Sequence, residues 1–278
     1  MEYIGGQALV EGVMIISPKK VACSVRKPDG KIKSKIENRN PRYTKYSKVW
    51  FIRGIFALIE MLYLGTKALT WSSNEQLKRE EKITKKELTF TLLISIIIGV
   101  LIFVLLPLFL SKILIQSRGI LFNITDGIFR IIVFIVYLIL ISRSKEIQRI
   151  FQYHGAEHMA VHCYEHKKKL TVDNVKKFIT LHPRCGTAFL IIVLIISIFV
   201  FSFIWSKNLF IKFFFRILLS PVIAAVSYEI LKLSARFQNK LFFKMLIQPG
   251  LWFQKITTKK PDDKQNEVAI ASVKSVLN

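Results

Sequence analysis

The chain has 278 residues and a formal net charge of +24 at pH 7. Hydrophobic residues make up 52% of it and the mean hydropathy is +0.39, which is high for a soluble protein. This composition predicts a membrane protein whose loops face anionic lipid headgroups or nucleic acid. Three cysteines are too few for a disulfide framework and favour reduced thiols on the cytoplasmic side.

Residues 1–48 are expected to form a small N-terminal cytoplasmic region. No positively charged segment followed by an apolar core opens the chain, so we expect no cleavable signal peptide. The glycines of "IGGQALVEGVM" permit close backbone approach, and Gln7 and Glu11 beside them are candidate site residues. Farther on, apolar and polar residues alternate around "KPDG", in which proline presets a turn and Gly30 accepts a positive φ. That pattern predicts a β-hairpin.

The segment 49–87 is predicted to be an amphipathic helix followed by a linker. Its apolar part carries Arg53, Glu60 and Lys67 at intervals of seven residues. Seven residues are about two helical turns, so the three charges share one face. A helix lying at the membrane interface or buried beneath the bundle fits this pattern better than a lipid-facing span.

Two long uncharged segments, Leu88–Ser111 and Cys185–Ser206, are each long enough to cross a hydrocarbon core of roughly 30 Å as a helix. Each is followed, after a short connection, by a second apolar segment that contains charges. The four segments form two predicted transmembrane hairpins, 88–142 and 185–231. The charges in the second segment of each hairpin are Asp126 and Arg130, then Lys212, Arg216 and Glu229.

Charge bias predicts the orientation of these spans. Residues 1–87 hold 18 Lys and Arg, residues 143–184 hold 9, and the tail from residue 229 holds 9, against 6 in the hairpins and their tips. By the positive-inside rule, both termini and the central loop are cytoplasmic. Lys212 and Arg216 are expected to extend toward the headgroups from near one end of their helix. The sequence therefore predicts an all-α polytopic protein of the cell membrane, with about four transmembrane helices in two hairpins and a small N-terminal cytoplasmic β-hairpin region.

All five histidines of the chain lie within 29 residues of each other, in the predicted cytoplasmic loop 143–184. No proline or glycine separates the second span from "YHGAEHMAVHCYEH", so the first four histidines are expected on a helix emerging into the cytoplasm. His154, Glu157 and His158 match H-x-x-E-H, an inverted zinc-hydrolase motif. Two imidazoles one turn apart can hold a metal, and the carboxylate beside them can take a proton from metal-bound water. His162 and His166 continue the same face and are expected to be bystanders.

A third protein ligand is required, and the sequence offers several. His182 in "LHPRCG" is the favoured one, with Cys185 and Glu229 behind it and Glu165 on the histidine helix itself. Cys185 has an alternative role as a nucleophile, with Arg184 favouring the thiolate and His182 serving as its base.

The C-terminal segment 232–278 is predicted to be a cytoplasmic helical tail. Asp262 and Asp263 open an amphipathic helix. Its apolar side consists of Ala269, Ile270, Val273, Val276 and Leu277.

The blocks "GGQALVEGVM", "YHGAEH", "LTVDNV", "HPRCGTAFL" and "PGLWFQKITT…EVAIA" together resemble the YqhQ-like family of bacterial membrane proteins. That family is a domain of unknown function (1385), described as a predicted metal-dependent enzyme. The resemblance spans nearly the whole chain and implies a site built on His154, His158 and His182. The other polar positions that it carries over are Gln7, Glu11, Glu157, Arg184, Cys185 and Glu229.

The leading hypothesis is a membrane metal-dependent enzyme, most plausibly a hydrolase, that uses a divalent cation, with zinc expected. His154, His158 and His182 hold the metal in this hypothesis, and Glu157 is the general base. A peptide or a lipid headgroup would serve as substrate, and the sequence does not choose between them. The alternative is a non-enzymatic membrane protein whose basic face docks a ribosome, RNA or a translocon. A transporter that uses Asp126, Arg130 and Glu229 is a third hypothesis.

Overall fold

A computed structural model describes residues 4–40, 49, 52–115, 119–204, 206, 208–237 and 240–277. In this part of the chain a four-stranded sheet precedes a predominantly helical remainder. The strands are β1 (Gly5–Leu9), β2 (Gly12–Ile16), β3 (Lys20–Arg26) and β4 (Ile32–Asn38). The helices are α1 (Ile52–Gln76), α2 (Lys85–Leu114), α3 (Ile120–Ile141), α4 (Lys145–Glu165), α5 (Val172–Val175), α6 (Gly186–Ser202), α7 (Leu209–Arg236), α8 (Leu241–Thr257) and α9 (Asp263–Leu277).

The sheet is larger than the sequence predicts. Its antiparallel order is β1-β2-β3-β4, and the predicted hairpin is confirmed as β3 and β4 joined through Gly30, whose φ is +83°. The glycine-rich opening forms a second hairpin, β1 and β2, which the sequence analysis missed. All five residues of β2 are buried, so this strand lacks the alternation of apolar and polar residues that marks a half-exposed strand.

The sheet packs against α4 and α9 around one hydrophobic core. The amphipathic helix predicted at the C-terminus is confirmed as α9, with most of its predicted apolar side in this core and only Leu277 exposed, at 41%. The hydroxyl of Ser272 on α9 reaches the carbonyls of Val13 and Ala22 on two neighbouring strands. The last helix of the chain therefore covers a face of its first sheet.

Three described helices are long and apolar enough to cross a membrane, namely α2, α3 and the Leu209–Ser234 part of α7. A capping box between Thr84 and Glu87 begins α2 three residues before the predicted span. The predicted span at 185–206 corresponds to α6, an apolar helix of 17 residues. Large apolar side chains cover the outward faces of these helices, as expected for contact with lipid. The helices thus indicate membrane association.

The expectation for Lys212 and Arg216 is wrong. Both side chains are only 2% exposed and point into the bundle, so neither extends to the headgroups. Lys212 donates to the side-chain oxygen of Asn123 at 3.2 Å, and Arg216 pairs with Asp126. These polar partners on α3 draw the two cations inward.

The helix that carries the histidines is not a continuation of α3. The histidine segment is helical as predicted, but α4 begins afresh at Lys145 with Ser144 as its N-cap, although neither proline nor glycine is present there.

The predicted amphipathic helix is α1, which runs to Gln76 and packs on α7 and the sheet. Its charged face pairs with α7 and with the end of β4: Arg53 with Glu229, Glu60 with Arg39, and Lys67 with Glu37.

Candidate metal centre

One face of α4 carries the histidine pair of the sequence motif. His154 and His158 are four residues apart and therefore lie one turn apart on the helix. Their ring centroids are 4.4 Å apart. The opposite face of α4, including Tyr153 and Ala156, is buried in the core with the sheet and α9. Packing of that apolar face holds the histidine face toward α6 and the segment before it.

Backbone carbonyls fix the orientation of both imidazole rings. Nδ1 of His154 donates to the carbonyl of Thr257 at 2.8 Å, and Nδ1 of His158 donates to the carbonyl of Thr180 at 2.5 Å. A proton held on Nδ1 leaves the lone pair on Nε2 of each ring. Metal-binding histidines are held in this way in known proteins, with the second nitrogen donating to an outer acceptor.

Cys185 supplies the third donor of the cluster. Its Sγ lies 3.2 Å from Nε2 of His154, and donor atoms of His154, His158 and Cys185 all lie within 4.8 Å of one another. Cys185 is the N-cap of α6, and its sulfur accepts from the backbone N–H of Thr187 at 3.4 Å. The start of an apolar helix thereby holds a thiol against two free imidazole nitrogens.

Glu157 lies beside this cluster and is 4% exposed. Its Oε2 is 3.5 Å from Nε2 of His158. Burial raises the pKa of the Glu157 carboxyl to about 8. The carboxyl thus exchanges its proton near neutral pH, which suits a general acid or base.

Two glycines allow neighbouring backbone to reach the centre. A Cβ on Gly6 of β1 would lie 2.8 Å from the Glu157 side chain, so only glycine lets this strand pass so close. A Cβ on Gly155 would lie 2.1 Å from the carbonyl oxygen of Lys259. The bare backbone at Gly155 therefore lets the segment after α8 run against α4, which brings the Thr257 carbonyl to His154.

The structure places His182, the third ligand favoured by the sequence, in a second group with His162 and Glu165. Both ring nitrogens of His182 are already hydrogen-bonded. Its Nδ1 accepts from the backbone N–H of Arg184 at 3.2 Å, which leaves the proton on Nε2 to donate to Glu165 at 3.3 Å. Arg184 also pairs with Glu165. In this arrangement His182 has no free lone pair for a metal.

The second group nevertheless adjoins the first. The ring centroid of His182 lies 5.6 Å from that of His158 and 4.5 Å from that of His162. Burial lowers the pKa of His182 and of His162 to about 4 and that of His158 well below its usual range. All three rings are therefore neutral at physiological pH, and neutral imidazole is the form that binds metals.

Gln254 on α8 fixes the backbone of His182. Its side chain accepts from the His182 N–H at 2.8 Å and donates to the His182 carbonyl at 2.9 Å, and it is fully buried. Since Thr180 and Cys185 belong to the same segment, this clamp positions both the carbonyl that orients His158 and the thiol.

The remaining candidate residues lie outside the centre. Gln7 points to the other face of β1, against Gly65 of α1. Glu11 pairs with Arg149 and accepts from the Tyr153 hydroxyl at 3.1 Å, so it docks the first hairpin on α4.

Two further expectations concern Glu229 and His166. Both carboxylate oxygens of Glu229 accept hydrogen bonds from the guanidinium group of Arg53 on α1. Glu229 is not part of either histidine group. His166 is an exposed residue whose Nδ1 donates to the carbonyl of His162 at 2.8 Å. It remains outside both groups, whereas His162, also expected to be a bystander, belongs to the second.

Several contributors could not be found from side-chain motifs. Thr257, Thr180 and Leu181 act through their backbone carbonyls, and a carbonyl leaves no trace in a residue pattern. Gly155 is the one trace of this packing in the sequence, because glycine is unfavourable inside a helix and leaves room for a neighbouring backbone.

Comparison with known proteins agrees with the resemblance found in the sequence. Residues 49–278 match the family model described as "Protein of unknown function (DUF1385)". The chain is 36% identical over 294 residues to "Uncharacterized protein YqhQ" of Bacillus subtilis (strain 168), covering 98% of this chain and 92% of that protein. No solved structure matches the chain. The chain therefore belongs to the DUF1385 family.

Proposed function

We propose that the protein is a metal-dependent hydrolase of the membrane surface whose metal is held by His154, His158 and Cys185. One observation carries this proposal: two imidazoles, each fixed by a backbone carbonyl, turn free nitrogens toward one thiol, with a buried carboxylate beside them. This revises the ligand set expected from the sequence, because Cys185 takes the place of His182.

The donor set fits zinc. Imidazole nitrogen and cysteine sulfur are its usual ligands, and three protein ligands leave a fourth position for water in catalytic zinc sites. When bound there, zinc would lower the pKa of water toward neutrality and polarise the bond to be cleaved. The Thr257 and Thr180 carbonyls keep both imidazoles in the ligand tautomer.

Glu157 is the proposed general base. Its buried carboxylate would accept a proton from the attacking water and later return it to the leaving group. Gly6 and the β1 backbone confine the carboxyl on the side opposite the helix. The substrate class is one with a hydrolysable carbonyl or phosphoryl group, carried by a peptide or a lipid headgroup.

We also propose the orientation in the cell membrane. In this arrangement α6 is a fourth span, short enough to need little tilt, and both termini are cytoplasmic. The metal centre then lies at the cytoplasmic end of α6, because Cys185 caps that helix. Basic residues of the cytoplasmic segments would contact anionic headgroups.

Docking of a ribosome, RNA or a translocon stays a prediction with weaker support. It rests on the net charge of the chain. Two exposed lysines of β4 that could contact such a partner already form ion pairs within the chain, Lys33 with Glu75 and Lys35 with Glu37.

The test of the enzyme proposal compares Glu157→Gln with Glu165→Gln in the full chain. Membranes containing wild-type protein are incubated with lipid and peptide extracts, and products are sought by untargeted mass spectrometry with and without a chelator. We expect a chelator-sensitive product from wild type and Glu165→Gln that is lost in Glu157→Gln, although both variants retain metal. If both variants form the product equally, Glu157 is not the base. If wild type with bound metal forms no product, the metal is structural.

A further inference from the structure

A second polar cluster lies inside the helical bundle, away from the metal centre. Asp126 on α3 accepts from Arg130 Nε at 3.0 Å and from Arg216 Nη1 and Nη2 at 3.0 and 2.8 Å. The three side chains are between 2% and 8% exposed. Arg130 is ten residues into α3, or about 15 Å of axial rise, which is near the middle of a hydrocarbon core of about 30 Å.

The charges of this cluster do not cancel. Asp126 is the only acidic residue in segments 88–142 and 185–228 of the sequence, and it faces two guanidinium groups. Both guanidinium groups also lie near the ring of Phe201, with centroid distances of 4.8 and 5.5 Å. An aromatic ring weakly offsets a positive charge but does not neutralise it. A net charge of about +1 therefore remains buried, which is costly in a medium of low polarity.

The two arginines also have buried hydrogen-bond donors without an acceptor. Within the described part of the chain, Nη2 of Arg130 and Nε of Arg216 are buried and have no hydrogen-bond partner. Native proteins leave few buried donors unpaired, and a buried guanidinium donor is among the more costly ones. Two orphaned donors on two adjacent cations indicate a missing acceptor that carries negative charge.

Both arginines line a cavity of about 410 Å³ between α2, α3, α6 and α7. Its remaining walls are mainly apolar, including Phe103, Phe134, Leu190 and Ile223. Ligand cavities of roughly 300–1,000 Å³ typically combine apolar walls with a few polar groups that fix orientation. Here the apolar wall would accept an aliphatic chain, and the arginines would accept its headgroup.

We propose that this cavity binds a singly charged anionic amphiphile, with its carboxylate or phosphodiester between Arg130 and Arg216 and its aliphatic chain along the apolar wall. The added charge cancels the +1 of the cluster, and the anionic oxygens accept from the two orphaned donors. Guanidinium groups form strong hydrogen bonds to both kinds of headgroup, and here Nη2 of Arg130 and Nε of Arg216 would each donate to an anionic oxygen. The proposal is independent of the metal centre.

The test uses the purified, delipidated full chain in detergent and native mass spectrometry, with thermal unfolding as a second readout. The probes are oleate, which presents a carboxylate, dioleoylphosphatidylglycerol, which presents a phosphodiester, and zwitterionic dioleoylphosphatidylcholine as control. We expect one or both anionic probes to bind and to raise the melting temperature, and the zwitterionic lipid to do neither. Which anionic probe binds more tightly identifies the headgroup.

Two kinds of variant keep the test decisive. Arg130→Gln leaves the neutral Asp126–Arg216 pair, so it should fold and lose about tenfold or more in affinity for the anionic probe. Val193→Trp fills the cavity from α6 without touching the charges and should abolish binding, whereas Ile195→Trp on the exposed side of α6 should not. Equal binding of all three lipids by wild type, or unchanged binding by Arg130→Gln and Val193→Trp, would overturn the proposal.

Discussion

Replacing Gly6 by alanine tests whether β1 lies against the proposed general base. A Cβ at this position would lie 2.6 Å from the Met14 carbonyl oxygen and 2.8 Å from both Cγ and Oε1 of Glu157. Non-bonded carbon atoms are comfortable at about 3.5–4.0 Å, so the added methyl overlaps its neighbours by roughly 1 Å. Overpacking of this kind costs about 1–3 kcal/mol of folding free energy.

Gly5 is the matched control, because a Cβ there meets nothing within 4 Å. Gly5→Ala should be neutral or stabilise the fold by about 0.4–1 kcal/mol through the unfolded state. Denaturant unfolding in detergent gives both free energies. Gly6→Ala should retain metal, since it leaves the three donor residues in place, but it should lose turnover because Glu157 is displaced.

A double variant separates contact with Glu157 from contact with the neighbouring strand. Glu157→Asp shortens the side chain by one methylene and should relieve part of the overlap, giving a coupling energy of at least about 0.5 kcal/mol with Gly6→Ala. Equal stability of Gly5→Ala and Gly6→Ala, or strict additivity with Glu157→Asp, would refute the placement of β1 against the carboxylate.

Three further outcomes follow from the contacts around the centre. Gln254→Ala leaves the N–H and carbonyl of His182 unpaired, so unfolding in denaturant should show a loss of about 1–3 kcal/mol together with weaker metal retention. A double-mutant cycle on Glu11→Ala and Arg149→Ala should give a coupling of only about 0.2–1 kcal/mol, because half of the Arg149 side chain is exposed; a value near zero would show that the pair does not dock the hairpin. In chelator-treated protein, thermal stability should fall as the pH drops from about 6.5 to about 4. In that range the unfolded chain protonates His158, His162 and His182 while the folded chain does not. The raised pKa of Glu157 acts in the opposite direction, but one carboxyl is outweighed by three imidazoles. His182→Asn should therefore remove part of the fall, and a fall of the same size in this variant would contradict the assignment to His182.

Much of the helical framework could be predicted because lipid demands long apolar segments. The two uncharged stretches and the amphipathic C-terminal helix leave a direct imprint on the sequence. The first hairpin could not be found in this way, since β2 is buried on both faces and reads as a plain apolar run. The inward direction of Lys212 and Arg216 was also hidden, because it depends on Asp126 and Asn123 of another helix.

The candidate site was predictable only where its chemistry is local. His154, Glu157 and His158 lie within five residues on one helix, so their spacing alone places them together. The choice between His182 and Cys185 depends on hydrogen bonds to Arg184 and Glu165 and on the packing of α8, which no local spacing encodes. Both residues lie in one short loop, and only the fold determines which of them faces the histidine pair.

The central claim is that Cys185, and not His182, completes the metal centre. Wild type, Cys185→Ser and His182→Ala are purified in parallel, and their metal content is measured by elemental analysis. The cobalt-substituted proteins are then examined for a thiolate-to-metal absorption band. We predict bound metal and the thiolate band in wild type and His182→Ala, and loss of both in Cys185→Ser. Metal-free wild type, or a Cys185→Ser variant that keeps its metal while His182→Ala loses it, would contradict the account.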